Sequence, residues 1–184
     1  GHHVISLGQA VPFFAPPPAA LDAARAAIGT TEVNRYSTDP GLPGLREVLA
    51  DRLTATLRSA DELTQDDLVI TAGGNHAFAL ALTTLVNAGD EVVLPAPYFT
   101  NHQMMVCANG AVPVEAPVAD RRTFAVRWSD IEPHLSPRTT AIVLCNPSNP
   151  TGAPLDAEEC ARIVTEAARR GLAVISDETY LHFV

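Results

Sequence analysis

Short apolar runs alternate with segments of helical spacing along most of the chain. The runs are almost wholly apolar and predict strands at 68–71, 91–94, 111–114, 141–144 and 172–176. Apolar residues at intervals of three and four predict helices at 19–28, 45–57, 75–86, 99–108 and 156–170. Strands without a polar face, separated by helices, are typical of a parallel sheet that is buried on both faces. The pattern therefore predicts an α/β fold with a mostly parallel sheet and helices on both faces.

The first thirty residues differ from the rest. Residues 10–18 are dense in proline, which fixes φ and favours an extended chain, and the short helix at 19–28 stops at Gly29. We therefore divide the chain into an N-terminal extended segment with a short helix, residues 1–30, and one large α/β domain, residues 31–184.

Composition narrows the classes of protein. Of 184 residues, 47% are hydrophobic and 18% charged, which is enough for a folded core. The net charge of −9 argues against a nucleic acid or an anionic membrane as the partner, and no apolar run is long enough to cross a bilayer. All twelve basic residues are arginines, so the chain has no lysine. Three cysteines without a CxxC pair indicate reduced thiols in a cytoplasmic protein.

The loops after the strands carry the candidate chemistry, because ligands of parallel sheets bind beyond the carboxyl ends of the strands. The loop at 71–76 is rich in small residues and leads into a helix, whose first N–H groups suit a phosphate or carboxylate. A tight turn without a ligand is the alternative. The loop is not a Walker A motif, which requires lysine.

Two further loops could hold a flat ligand. Tyr98 and Phe99 follow a strand, where an aromatic ring either stacks on a heterocycle or packs in the core. The loop Asn146-Pro147-Ser148-Asn149-Pro150-Thr151-Gly152 is rigid enough to fix the direction of an amide side chain, and either Asn-Pro bond could be cis.

Asp177 follows the last buried strand. A carboxylate there loses hydration, so it needs a cation or strong donors to stay ionised, and a metal or a protonated ring nitrogen would both serve. The histidines share no metal-ligand spacing, so we predict no metal site. The four loops together suit a flat, phosphorylated ligand with a basic ring nitrogen, which describes pyridoxal 5′-phosphate.

With these motifs in place, the chain resembles the class I and II aminotransferases, pyridoxal-phosphate enzymes of fold type I. The resemblance covers nearly the whole chain in order, and its most specific part is Asn-Pro-x-Asn-Pro-Thr-Gly followed by Asp-x-x-Tyr. It is carried by Ser6-Leu7-Gly8-Gln9, Tyr36, Gly41, Gly44-Leu45-Arg46, Thr71-Ala72-Gly73-Gly74-Asn75, Pro97-Tyr98-Phe99, Asn146, Asn149-Pro150-Thr151-Gly152, Asp177 and Tyr180.

The resemblance implies a role for each matching residue. The amides of Gly74, Asn75 and His76 would hold the cofactor phosphate. The ring of Phe99 would stack on the pyridine, and Tyr98 would take its place if the register shifts by one residue.

The resemblance also implies the groups around the reacting end. Asn149 and Tyr180 would contact the 3′ oxygen of the cofactor, and Asp177 would pair with the pyridine nitrogen, so that Asp177 and Tyr180 are the expected catalytic residues. Ala10 and Asn149 would lie near the substrate. Tyr36 would reach the phosphate of another subunit's cofactor, which implies a homodimer.

One departure from the family matters most. Such enzymes hold the cofactor on a lysine beyond the Asp-x-x-Tyr element, whereas this chain has no lysine and stops four residues after Tyr180. The resemblance therefore implies a cofactor-binding domain that is truncated before that lysine and inactive alone, with a complementary C-terminal half as a partner.

We interpret the chain as the N-terminal portion of an aminotransferase that moves an amino group between an amino acid and a 2-oxo acid. One alternative is a pyridoxal-phosphate lyase or synthase of the same fold. Another is a non-catalytic ligand-binding or assembly fragment, which the missing lysine supports.

Overall fold

The computed structural model describes residues 14–57 and 62–183 of the chain. Within them it has six α-helices and four strands. The helices are α1 (Pro18–Ala27), α2 (Pro43–Leu57), α3 (Gly74–Leu85), α4 (Thr100–Ala108), α5 (Trp128–Ile131) and α6 (Ala157–Arg169). The strands are β1 (Glu91–Ala96), β2 (Val112–Pro117), β3 (Thr139–Cys145) and β4 (Ala173–Asp177), and short 3-10 turns stand at Glu32–Asn34, Gln65–Asp67, Glu132–His134 and Leu181–Phe183.

The chain forms two compact units, Gly1–Leu68 and Val69–Val184. The first unit contains α1 and α2, which confirms the two helices expected there to within two residues at each end. In this unit the buried guanidinium of Arg46 donates to the carbonyl oxygen of Gln65 at 2.9 Å and to the carboxylate of Asp66 at 3.0 Å. Arg46 thus joins α2 to the 3-10 turn that closes the unit.

The second unit is built on a four-stranded parallel sheet in the order β2-β1-β3-β4. All four strands were expected from the apolar runs, and their parallel pairing confirms the α/β fold class. The order places β1 and β3 in the centre, where both strands are almost wholly buried.

Helices cover both faces of this sheet. Successive side chains of a strand point to opposite faces, so Val92 and Leu94 of β1 pack on one side and Val93 on the other. On the first side they meet α3 and α4 through Phe78, Leu82, Val86 and Val106. On the second side the sheet meets α5 and α6 through Trp128, Ile131, Ile163 and Ala167. Burial on both faces explains why the strands are apolar at consecutive positions.

The prediction of a strand at 68–71 is wrong. These residues form no strand, and the sheet ends at β2 on one edge and β4 on the other within the described part of the chain. The side chain of Val69 is 59% exposed. An apolar run supplies strand propensity, but a strand also requires a neighbour with which to pair, and that neighbour is not visible in the local pattern.

Helix α5 was not expected, because four residues are too few to show a period. It is held by two carboxylates instead, those of buried Asp130 and half-buried Glu159. The carboxylate of Asp130 accepts the N–H of Arg127 at 3.1 Å, and the carboxylate of Glu159 on α6 accepts the N–H of Trp128 at 3.0 Å. These bonds fix the start of α5 against α6.

None of the helices in residues 14–57 and 62–183 combines the length and apolar character needed to cross a membrane.

Candidate active site

The loops that follow β3 and β4 meet at the carboxyl edge of the sheet. The two strands are in register there, with Cys145 opposite Asp177, and the N–H of Asn146 donates to the carbonyl oxygen of Asp177 at 2.9 Å. The Asn-Pro loop and the Asp-x-x-Tyr element are therefore joined at their first residues, Asn146 and Asp177, which are 31 positions apart in sequence.

The carboxylate of Asp177 is held at both oxygens. Its Oδ2 lies 3.0 Å from Nε2 of His102, and its Oδ1 accepts the N–H of Thr179 at 3.1 Å and the hydroxyl of Thr179 at 2.7 Å. An ionised carboxylate can only accept hydrogen bonds, so Nε2 of His102 must carry a proton and donate to Oδ2 of Asp177.

These bonds keep Asp177 ionised. The hydrogen bond from His102, followed by those from Thr179, outweighs the opposing effect of burial and lowers the pKa of Asp177 to about 2. The aspartate side chain is only 23% exposed, so it has lost much of its water and depends on these donors. At neutral pH the site therefore presents a negative charge at the edge of the sheet.

Sequence reasoning missed His102. Its side chain is 3% exposed on α4, where its ring lies 4.5 Å from the ring of Phe78 and 5.5 Å from that of Phe99, edge to face. A single histidine on the buried side of a helix is typical of a core residue, and the aspartate that it contacts is 75 positions away. One signal was available, since His102 follows Phe99 by three residues and so lies on the same side of α4.

The start of α3 reaches the same region. Gly73 has φ of +83°, a conformation that favours glycine, and a side chain at Gly74 would place its Cβ 3.3 Å from Oγ1 of Thr179. The first N–H groups of a helix have no partner within it. The amide of His76 donates to the carbonyl oxygen of Gly73 at 3.1 Å, and Nδ1 of His76 accepts the N–H of Ala72 at 3.1 Å, so this histidine closes the turn.

A weaker contact joins α3 to α4. The side-chain amide of Asn101 lies 3.4 Å from the side-chain oxygen of Asn75. Gly74 thus approaches the Asp177 loop, while Asn75 approaches the helix that carries His102.

The two neighbouring aromatic residues have different surroundings. Tyr98 packs against the core of the first sheet face, and burial, together with the charge and hydrogen bond of Glu115, raises the pKa of Tyr98. Phe99 is half-buried at the start of α4, beside the ring of His102. Phe99 is therefore linked to Asp177 by way of His102, which contacts both residues. The hydroxyl of Tyr98 instead faces Glu115 of β2.

The Asn-Pro loop is closed by its own hydrogen bonds. Oδ1 of Asn146 accepts the N–H of Leu155 at 2.9 Å, and the peptide bonds before Pro147 and Pro150 are both cis, as is the bond before Pro97. The N–H of Asn149 contacts Sγ of Cys145 at 3.4 Å. Within the described part of the second unit, the side-chain amide of Asn149 has no hydrogen-bond partner.

Tyr180, Tyr36 and Ala10 are the remaining candidates. Tyr180 is half-buried, and its ring lies 6.1 Å from that of Phe183. Tyr36 belongs to the first unit and is fully exposed. Ala10 lies outside the described residues. The structure thus brings together Asp177, the start of α3 and the Phe99 helix, with His102 and Thr179 as additional members.

The fold and the site define an α/β protein in which the ionised carboxylate of Asp177 lies near the start of α3 and contacts α4, which begins directly after Phe99. Comparison with known proteins identifies the family. The model of aminotransferase class I and II matches residues 2–184. The chain therefore belongs to the class I and II aminotransferase family, which confirms the resemblance found in the sequence.

Individual relatives agree. The chain is 33% identical to a probable aspartate/prephenate aminotransferase of Aquifex aeolicus, over 100% of this chain and 46% of the relative. It is 36% identical to an aspartate aminotransferase of Streptomyces avermitilis, over 100% of this chain and 45% of the relative. The chain thus spans somewhat less than half the length of these relatives.

Solved structures match equally well. An N-succinyldiaminopimelate aminotransferase from Mycobacterium tuberculosis superposes with a TM-score of 0.86 at 36% identity, over 95% of this chain and 45% of that one. An aromatic aminotransferase from Pyrococcus horikoshii gives a TM-score of 0.90 at 31% identity, over 98% of this chain and 48% of that one.

Proposed function

We propose that this chain supplies the cofactor-binding portion of a pyridoxal-phosphate-dependent aminotransferase, which exchanges an amino group between an amino acid and a 2-oxo acid. The observation that carries the proposal is the ionised carboxylate of Asp177, held by His102 and Thr179 at the edge of the sheet and adjoining the start of α3. The names of the relatives support this reaction class.

The chemistry of the donors fits pyridoxal phosphate. An anionic group suits the free amides at the start of a helix, and a protonated ring nitrogen suits an ionised carboxylate that is short of water. Phe99 offers an aromatic face beside the same cluster. The residues present therefore match the phosphate, the ring nitrogen and the ring of this cofactor.

When bound, pyridoxal phosphate supplies a protonated pyridine ring that withdraws electrons from the α-carbon of the substrate. Asp177 keeps a proton on the ring nitrogen by Coulomb attraction and hydrogen bonding. His102 donates to the second oxygen of Asp177, so the aspartate stays ionised and cannot rotate freely. The charge is thus fixed before any ligand arrives, which avoids reorganisation during the reaction.

Other residues orient the cofactor. Gly74 and Asn75 bind the phosphate through their amides at the start of α3, and His76, whose own amide donates to Gly73, holds the turn that presents them. Phe99 rather than Tyr98 stacks on the ring, since the hydroxyl of Tyr98 is engaged by Glu115.

The remaining contacts lie around the reacting atoms. Asn149, whose amide is unpaired within the described second unit, donates to the 3′ oxygen together with Tyr180. Asn149 also lies near the substrate.

The function requires further polypeptide. This chain has no lysine, so the amine that anchors the cofactor in this family comes from a complementary C-terminal part. We also propose a homodimer in which Tyr36 reaches the phosphate of the neighbouring subunit, and a cytoplasmic location, in keeping with three cysteines that form no CxxC pair.

Absorbance spectroscopy of the natural gene product tests the proposal. Added pyridoxal phosphate is expected to bind and to change its absorbance when an amino acid follows, and a 2-oxo acid is expected to be converted to its amino acid. Binding without turnover, even with the complementary part present, would favour a ligand-binding fragment. Elimination or cyclisation products would favour a lyase or synthase. Failure to bind the cofactor would overturn the proposal.

A further inference from the structure

Thr179 connects two parts of the site that are far apart in sequence. Its N–H and its hydroxyl both donate to Oδ1 of Asp177, at 3.1 Å and 2.7 Å. Its Oγ1 is also the atom that a Cβ at Gly74 would meet, at 3.3 Å. Thr179 therefore lies between the aspartate and the first residue of α3.

Of the two adjacent carboxylates, Asp177 and Glu178, Thr179 donates to Asp177. The carboxylate of Glu178 accepts the hydroxyl of Ser176 at 3.1 Å instead. Because His102 holds Oδ2 and Thr179 holds Oδ1, the two donors act from opposite ends of the Asp177 carboxylate and fix the plane in which it lies.

Because Thr179 is exposed, its effect on the orientation of Asp177 can be measured apart from any effect on folding. Its side chain is exposed, and exposed hydroxyl groups contribute little to stability. Losing the hydroxyl is therefore expected to disturb the direction of the aspartate far more than the stability of the protein.

We propose that Thr179 is a positioning residue, which orients the Asp177 carboxylate toward the ring nitrogen of the cofactor and requires glycine at position 74 for the space in which it does so. The inference rests on the proposed binding of pyridoxal phosphate. The side chain of Thr179 does not itself touch the reacting atoms, and it acts through Asp177.

Three variants of the natural gene product test the hydroxyl. Thr179→Val keeps the shape and removes the donor, Thr179→Ala removes both, and Thr179→Ser keeps the hydroxyl. We expect Thr179→Val and Thr179→Ala to weaken pyridoxal phosphate binding by about three- to tenfold, the net effect of one ordinary hydrogen bond, because the carboxylate that it orients remains present. Thr179→Ser is expected to restore it. Equal binding by all four proteins would overturn the proposal.

A double-mutant cycle tests the contact with Gly74. In the presence of Thr179, Gly74→Ala brings a methyl group within 3.3 Å of Oγ1 and should displace it. In the Thr179→Ala background that atom is gone, so the same change should cost much less affinity. If the two effects simply add, Gly74→Ala acts on the phosphate alone and the link through Thr179 is refuted.

A crystal structure of Thr179→Ala without cofactor supplies a readout that does not depend on binding. We expect the Asp177 carboxylate to have turned while the backbone of β4 is unchanged, and an unmoved carboxylate would overturn the proposal. Failure of the wild-type protein to bind the cofactor would instead overturn the proposed function, so the two failures are distinguishable.

Discussion

Nε2 of His102 lies 3.0 Å from Oδ2 of Asp177 and joins the first turns of α4 to the end of β4. The imidazole of His102 is buried beside the rings of Phe78 and Phe99, and the carboxylate of Asp177 is the polar group that it contacts. This bond is the largest of the causes that lower the pKa of Asp177.

Asp177→Asn is expected to abolish most turnover and leave the fold intact. An amide cannot hold a proton on a ring nitrogen by charge, and the loss of one such electrostatic group commonly lowers kcat by about 10²- to 10³-fold. Steady-state kinetics of the natural gene product, with circular dichroism as a check on folding, measure this. Asp22→Asn, which changes an exposed carboxylate on α1, is the matched control. An unchanged rate for Asp177→Asn would contradict the role.

His102→Phe is expected to lower stability at neutral pH by about 2 kcal/mol, the size of a lost hydrogen bond to a charged group. Because the pKa of Asp177 is lower in the folded protein, its contribution to stability is present above about pH 4 and is lost as the pH falls toward 2. The penalty should therefore shrink over that interval in urea unfolding experiments.

Two further variants make the histidine experiment specific. His102→Gln retains a donor and should lose less stability than His102→Phe, and His134→Phe, on a different element, should show no such dependence on pH. A penalty for His102→Phe that stays constant from pH 5 to pH 2 would show that the histidine acts by packing alone.

The apolar runs predicted the four strands of the sheet and the position of Asp177 at the end of the last one, because burial on both faces of a parallel sheet leaves a local pattern of apolar runs that end in polar residues. The same pattern gave a wrong prediction of a strand at 68–71, because a strand needs a neighbouring strand with which to pair and the local sequence does not show one. The sequence could not reveal that His102 contacts Asp177, or that Thr179 occupies the space beside Gly74 that a Cβ would need. Both relationships arise from the packing of α3 and α4 on the sheet, and neither partner predicts the other locally.

Phe99→Leu is expected to weaken pyridoxal phosphate binding by about two- to tenfold, the value of a lost aromatic stack. Tyr98→Phe removes the hydroxyl that bonds to Glu115 and keeps the ring, so it should leave binding unchanged. Fluorescence titration of Phe99→Leu and Tyr98→Leu, with Tyr98→Phe as the control, decides which ring faces the cofactor. If Tyr98→Leu weakens binding and Phe99→Leu does not, at equal stability, the assignment is off by one residue.

Gly73→Ala is expected to weaken cofactor binding by changing the backbone at the start of α3, in addition to lowering stability through backbone strain. Gly73 has φ of +83°, where an alanine is strained although nothing lies within 4 Å of the added Cβ. Residues forced into such conformations cost about 1–3 kcal/mol, and the chain relieves that strain by shifting the turn that aims the amides of Gly74 and Asn75. Both lower stability and weaker binding of the cofactor phosphate should follow.

Gly89→Ala is a matched control, because Gly89 has φ of +87°, equally open space around its Cβ and a position in the turn before β1. Both variants should lose comparable stability in urea unfolding. Only Gly73→Ala should weaken pyridoxal phosphate binding, since only that turn precedes α3. If Gly89→Ala weakens binding equally, the loss reflects overall destabilisation, and the start of α3 is not the anion site.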